Sequence, residues 1–217
     1  KLREKLQLKP ETKIVGFMGR LCSEKGLHKW LEVADELNAT FPSLHFVVAG
    51  DGPLKAELQE KANALQISNI SFIGWQEKVH EVVAGFDLML MTSLSEGLPL
   101  VIMEALCSGV PVVAPDIGGI REILTNDFSG LIPADALPKV YAAKIRKLLN
   151  MQESHKEFLR AETIQFVQQT FDTQVSQQKY LDTIKRLVDA RNSANKAKLI
   201  ITYLMAEPFL AEDYRSN

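Results

Sequence analysis

The sequence predicts an α/β fold: a parallel sheet with helices on both of its faces. Three observations predict it. Between Lys13 and Ile132, short apolar runs alternate with stretches whose apolar residues recur at helical spacing. Most of the short runs are solidly apolar rather than alternating, as strands buried on both faces are. The segments that follow the runs, 19–25, 50–52, 74–75, 93–99 and 116–119, are rich in Gly or polar residues. An open parallel sheet takes up its ligands there, outside the carboxyl ends of its strands.

Taken in order, residues 1–8 read as a short entry helix ended by Pro10, and 13–18 (KIVGFM) as the first buried strand. In 26–40 the apolar residues Leu27, Trp30, Leu31, Ala34 and Leu37 mark one face of a helix. A second strand follows at 45–49 and a second helix at 53–65, opened by Pro53. Next come a strand at 70–73, a short helix at 76–84 and a strand at 88–92. A helix at 100–106, a strand at 110–114, a helical turn at 120–124 and a short strand around Leu131 and Ile132 complete the alternation. Beyond Ala134 only helices are expected, at 136–150, 153–170 and 173–190. The expected organisation is therefore a Rossmann-like nucleotide-binding domain over 1–190 and an extension of unassigned role over 191–217.

Composition bounds the function. With 217 residues, 46% hydrophobic and 24% charged, the chain is an ordinary globular one. A net charge of −2, from 25 basic and 27 acidic residues, supplies no field for nucleic acid. No apolar run reaches the roughly 18 residues of a spanning helix, and no signal peptide opens the chain. Cys22 and Cys107 show no CxxC spacing and read as free thiols of a reducing compartment. The first residue is Lys1, and a piece of a longer protein is expected.

The most informative stretch is 95–115, SEGLPLVIMEALCSGVPVVAP. Glu96 and Glu104 stand in an E-x7-E arrangement, with Gly97, Leu98 and Pro99 as a tight lead-in to the helix that carries Glu104. Pro99 suits the first turn, where its missing N–H is not needed, and Gly109 supplies the stop. The amides near Leu100 and Val101 are then free, a ready anion site. Glu104, about one turn in, is placed to accept from neutral hydroxyls beside that anion. One phosphate cradle with two hydroxyl-reading carboxylates fits a nucleotide sugar.

The loop after the first strand, GRLCSEKG, lacks the G-x-G-x-x-G spacing of a dinucleotide fold. It offers Arg20 and Lys25 instead, which read either as surface cations at a helix entrance or as clamps on a phosphate. Asp51, between Gly50 and Gly52, reads as a tight turn. The ring of Trp75 reads as core, and its backbone, at the end of the third strand, as the better candidate for meeting a base. No metal ligands are expected: D-x-D is absent, and His28, His45, His80 and His155 have no zinc spacing, reading instead as surface or partly buried structural residues. Neither a G-x-S-x-G elbow nor a P-loop occurs.

GRLCSEKG, VVAGDGP, FIGW, SLSEGLPLVIMEALCSGVPVVAPDIGGIREI and SGLIP occur in this order. The combination resembles the family 4, or group 1, glycosyltransferases, over roughly residues 6–187. It matches the C-terminal, nucleotide-sugar-binding half of their GT-B fold. The resemblance implies that Arg20 and Lys25 hold the donor's diphosphate and stabilise the leaving nucleotide. Glu96 would bond donor-sugar hydroxyls, and the segment Gly97, Leu98, Pro99, Leu100 and Val101 would meet phosphates and ring through the amides it has free. Glu104 would bind the ribose, and Gly74 and Trp75 would line the base. Where the family often has an aromatic and a glycine after the first Glu-Gly, this chain has Leu98-Pro99-Leu100.

The activity so implied is transfer of a sugar from a nucleoside-diphosphate sugar, with retention of configuration and without an essential metal or other cofactor. The acceptor, a glycan, lipid or small molecule, would be bound mainly by an N-terminal half that has no counterpart here. A cytoplasmic location is expected, with peripheral attachment at the inner face of a membrane open to the full-length protein. Two further readings stand beside this one: a GT-B nucleotide-sugar epimerase, and a catalytically inactive nucleotide-binding module. An NAD-linked dehydrogenase is disfavoured by the Gly spacing and by the cations in the first loop.

Overall fold

The computed structural model describes residues 2–41 and 43–192, without the side chains of Thr173 and residues 188–192. Its centre is a six-stranded, all-parallel sheet: β1 (Lys13–Met18), β2 (Leu44–Ala49), β3 (Ile70–Gly74), β4 (Leu88–Leu90), β5 (Val112–Pro115) and β6 (Gly130–Ile132). The order across the sheet is β3-β2-β1-β4-β5-β6. That is the Rossmann order, with two halves wound outward in opposite senses from β1 and β4. Phe17, Val47 and Leu90 are fully buried, which is why these strands read as unbroken apolar runs.

Helices cover both faces. On one, α2 (Leu27–Asn38) packs between α3 (Lys55–Ala64) and α7 (Pro138–Leu149); on the other, α4 (Val79–Val83) meets α5 (Leu100–Cys107). The five apolar residues that mark the face of α2 are all at most 1% exposed. Trp30 sets its ring edge-on to Phe46, centroids 6.1 Å apart, and its indole N–H donates to Leu90 O at 3.0 Å. A satisfied donor lets so large a side chain be fully buried.

Several boundaries differ from those read in the sequence, each for a local reason. The entry helix α1 is only Leu2–Lys5. The backbone turns left-handed at Gln7 (φ 54°), and the amides of Gln7 and Leu8 close on Glu4 O and Arg3 O. Strand β5 starts at Val112 rather than Val110, because the Val110 amide completes the same kind of closure on Ala105 O behind Gly109. The helix expected from Gln76 starts at Val79, since the Gln76 side chain turns back to donate to Ile73 O at 2.7 Å. Pro99 stands as the cap before α5 rather than inside its first turn.

Backbone packing divides the chain into two compact units, Lys1–Gln168 and Gln169–Asn217. The first contains the sheet, α6 (Ile120–Ile123) and most of α8 (Glu153–Phe171). Within it Leu159, Thr163 and Val167 of α8 are buried, and Asn126 donates to the Thr163 hydroxyl at 2.9 Å. In the second, α9 (Thr173–Asn192) starts where the Asp172 carboxylate accepts from the Gln174 amide at 2.8 Å. The extension expected over 191–217 lies outside the described residues except for its first two, which end α9. Among the described residues no helix is long and apolar enough to cross a membrane.

Candidate functional site

Between β1 and β4 the chain winding reverses, so the loops that follow these strands part and leave a crevice. Tertiary hydrogen bonds fix the crevice walls. The Leu21 amide donates to Asp51 O at 2.9 Å, tying the loop after β1 to the loop after β2. The Leu94 amide donates to Glu24 O at 2.7 Å, and the Thr92 hydroxyl to Gly26 O at 2.9 Å, tying it to the end of β4. Gly26 is left-handed (φ 57°), and a Cβ there would lie 2.1 Å from Thr92 O, so only glycine allows the two segments to meet.

The crevice holds a cavity of about 540 Å³. Its walls are Met18, Gly19 and Arg20 after β1, Lys25 before α2, and Gly50 and Asp51 after β2. Trp75, Gln76 and Val79 after β3, and Met91 after β4, continue them, and α5 adds Leu100, Val101 and Glu104. Six sequence-selected residues thus share one cavity: Arg20, Lys25, Trp75, Leu100, Val101 and Glu104. Glu96 lies at its edge, bonded to Lys25; Gly74, Gly97, Leu98 and Pro99 do not line it.

The electrostatics are uneven. Lys25 Nζ lies 2.6 Å from Glu96 Oε1, and the Ser93 hydroxyl donates to the same oxygen at 2.7 Å. The Glu96 side chain is 8% exposed, so this carboxylate is held inside the protein rather than in water. Arg20 and Glu104 are exposed, and among the described residues neither side chain is held by an ion pair. The first amides of α5 precede its internal hydrogen bonds, and among the described residues no side chain caps them. Asp51 is occupied by its own turn: the Gly52 amide, then Lys55, keep its carboxyl below the usual range. It lines the cavity but acts as the turn residue its neighbours suggested.

Trp75 requires a correction. Its ring is not core: it is 70% exposed and forms part of the cavity wall. The backbone turns out of β3 at Gly74, left-handed at φ 68°, and among the described residues no element packs over the indole. Sequence reasoning also missed Met18, Gln76, Val79, Met91 and the buried hydroxyl of Ser93. Ser93 had a signal, being a polar residue directly after an apolar strand and three before Glu96; the two methionines read simply as strand residues. Among the described residues no group of three His, Cys, Asp or Glu side chains gathers as a metal site would.

Geometry therefore defines a class: a Rossmann-like domain with a crevice at its switch point, where Arg20, Lys25 and the start of α5 meet. The family described as "Glycosyl transferases group 1" matches residues 1–163, and the chain belongs to that family. It is 38% identical over 87 residues to the putative glycosyltransferase EpsF of Bacillus subtilis, across 40% of this chain and 23% of EpsF. A mutant of S. aureus TarM, crystallised with Fondaparinux, alpha-GlcNAc-glycerol and UDP, is similar with a TM-score of 0.72 and 26% identity. That match covers 79% of this chain and 35% of TarM.

The C-terminal domain of LpcC from Francisella tularensis, a group 1 family protein, shares the fold. Its TM-score is 0.68 at 22% identity, over 79% of this chain and 91% of that domain. The chain spans between 23% and 40% of the length of the first curated relatives it matches.

Proposed function

We propose that this chain is the donor-binding part of a retaining glycosyltransferase that moves a sugar from a nucleoside-diphosphate sugar to an acceptor. One observation carries the reading: Arg20, Lys25, the start of α5 and Glu104 line a single cavity at the sheet's switch point. As the bond from the anomeric carbon to the diphosphate breaks, its electron pair stays on the departing oxygen. Arg20, Lys25 and the amides of Leu100 and Val101 meet that charge in place, and we propose no essential metal. Fixed donors of this kind, lost one at a time, typically cost about 10²–10³ in rate.

In the same reading Glu104 takes the ribose hydroxyls, Glu96 the donor sugar, and Trp75 the base. The oxygen of the acceptor hydroxyl then bonds the anomeric carbon on the face the diphosphate leaves, and its proton passes to the departing diphosphate oxygen. A segment outside this chain binds most of the acceptor, and the location is cytoplasmic, with peripheral membrane attachment open to the full-length protein. UDP is the first nucleotide to try, being the one in the TarM complex.

The test is calorimetric titration of the 217-residue chain with UDP, GDP and ADP. Arg20→Ala and Lys25→Ala should each weaken the nucleotide that binds by about 1.5–3 kcal/mol, the range for a charged hydrogen bond. Unchanged affinity in both variants removes the diphosphate assignment. Glu104→Ala should weaken the bare nucleotide, whereas Glu96→Ala should act only when a sugar is attached.

A further inference from the structure

We propose that Ser93 is a positioning residue: its buried hydroxyl holds the Glu96 carboxylate toward the donor sugar and so sets how much affinity the sugar adds to the nucleotide. The proposal rests on the reading of Glu96 as the carboxylate that meets the sugar.

Ser93 is 3% exposed, at the end of the chain segment that continues β4. Its hydroxyl donates to Glu96 Oε1 at 2.7 Å, and Lys25 Nζ reaches the same oxygen at 2.6 Å. Among the described residues both donors thus fall on Oε1, which leaves Oε2 as the acceptor for incoming hydroxyls. The two donors differ in what else they serve. Lys25 also lines the cavity, so a bound diphosphate competes for its charge. Ser93 faces no such competition, because it is buried and neutral. When Lys25 turns to the phosphate, Ser93 is the described donor that still fixes Oε1.

The backbone alone does not do this. Gly118, left-handed at φ 50°, brings the loop after β5 against Glu96 O, and the Gly119 amide donates to Gly97 O at 2.8 Å. That contact fixes where the Glu96 main chain runs. Its side chain has three further rotatable bonds, and a specific hydrogen bond is what selects one rotamer among them. A carboxylate free to rotate gives up part of its hydrogen bonding to the sugar in becoming ordered.

The experiment titrates the 217-residue chain with UDP, GDP and ADP, and with the glucose, N-acetylglucosamine and mannose ester of each. In Ser93→Ala the bare nucleotide should keep its Kd within about twofold while the ester weakens about fivefold, a part of what a hydrogen bond to a charged group is worth, because this bond positions Glu96 rather than touching the sugar. Ser93→Thr, which keeps the hydroxyl, should restore the ester. Equal loss for nucleotide and ester shows a merely structural serine and overturns the proposal, as does no loss for either. Should Ser93→Ala give no folded protein, Ser93→Cys, with a weak donor of similar shape, is read in the same way. Wild-type protein that binds none of the bare nucleotides overturns the nucleotide reading itself, before any variant is made. Wild type that binds a nucleotide but no ester overturns the sugar site and, with it, the role of Ser93.

Discussion

Gly26 joins the loop after β1 to the end of β4, and replacing it tests how the crevice is held. Two separate terms act on Gly26→Ala. The left-handed backbone (φ 57°) costs an L-residue about 1–2 kcal/mol. The new Cβ would lie 2.1 Å from Thr92 O, a backbone atom that cannot rotate away, and forced displacement in a packed site costs about 1–3 kcal/mol. Together they predict a loss of about 2–5 kcal/mol.

Two other glycines separate the terms. Gly74 is left-handed at φ 68° with nothing within 4 Å of a Cβ, so Gly74→Ala should lose only the backbone part, about 1–2 kcal/mol. Gly97 has neither feature, and Gly97→Ala should stay within about 0.5 kcal/mol of wild type. Urea unfolding, followed by the fluorescence of the fully buried Trp30, gives all three values. The same Gly26→Ala protein should bind nucleotide more weakly, because Lys25 is its immediate neighbour. If Gly97→Ala costs as much as Gly26→Ala, or if Gly26→Ala is neutral, the clamp between these two segments is refuted.

Outcomes are also expected for four further variants. Lys25→Ala should destabilise the fold by about 1–3 kcal/mol, because it removes a charged donor from the enclosed Glu96. The exposed Arg20→Ala should move stability by less than about 0.5 kcal/mol, so thermal melting separates two variants that share a binding defect. Trp30→Phe should cost about 1–3 kcal/mol in denaturant unfolding, as Leu90 O loses the indole donor at 3.0 Å. Burial pushes the Tyr141 hydroxyl up to about 12, whereas the unfolded chain titrates near 10. Between these values only the unfolded chain gives up its proton, so stability is whole below about pH 10 and falls as pH rises toward 12. In Tyr141→Phe that part of the alkaline slope should vanish from a urea series at rising pH.

The stretch around α5 was legible from sequence because every signal in it is local. Pro99, the apolar run, the carboxylate at Glu104 and the stop at Gly109 act through propensity, periodicity and turn chemistry within a few residues of one another. The parallel sheet was legible for a similar reason: a strand buried on both faces must be apolar throughout, whichever neighbours it finds. The exit from α1 was not legible, since a glutamine in the left-handed region at Gln7 carries no compositional mark.

What tertiary structure alone decided are the relations between distant residues. The sheet order places β1 beside β4, and so brings Lys25 to Glu96 across 71 positions of chain and Arg20 to the start of α5. The exposure of Trp75 is of the same kind, because burial depends on what packs over a side chain rather than on the side chain itself. Residue types and their spacing determined which chemistry was available to this protein. Only the crossing of the chain at the switch point decided which of those groups share a cavity, because that depends on the pairing of strands remote in sequence.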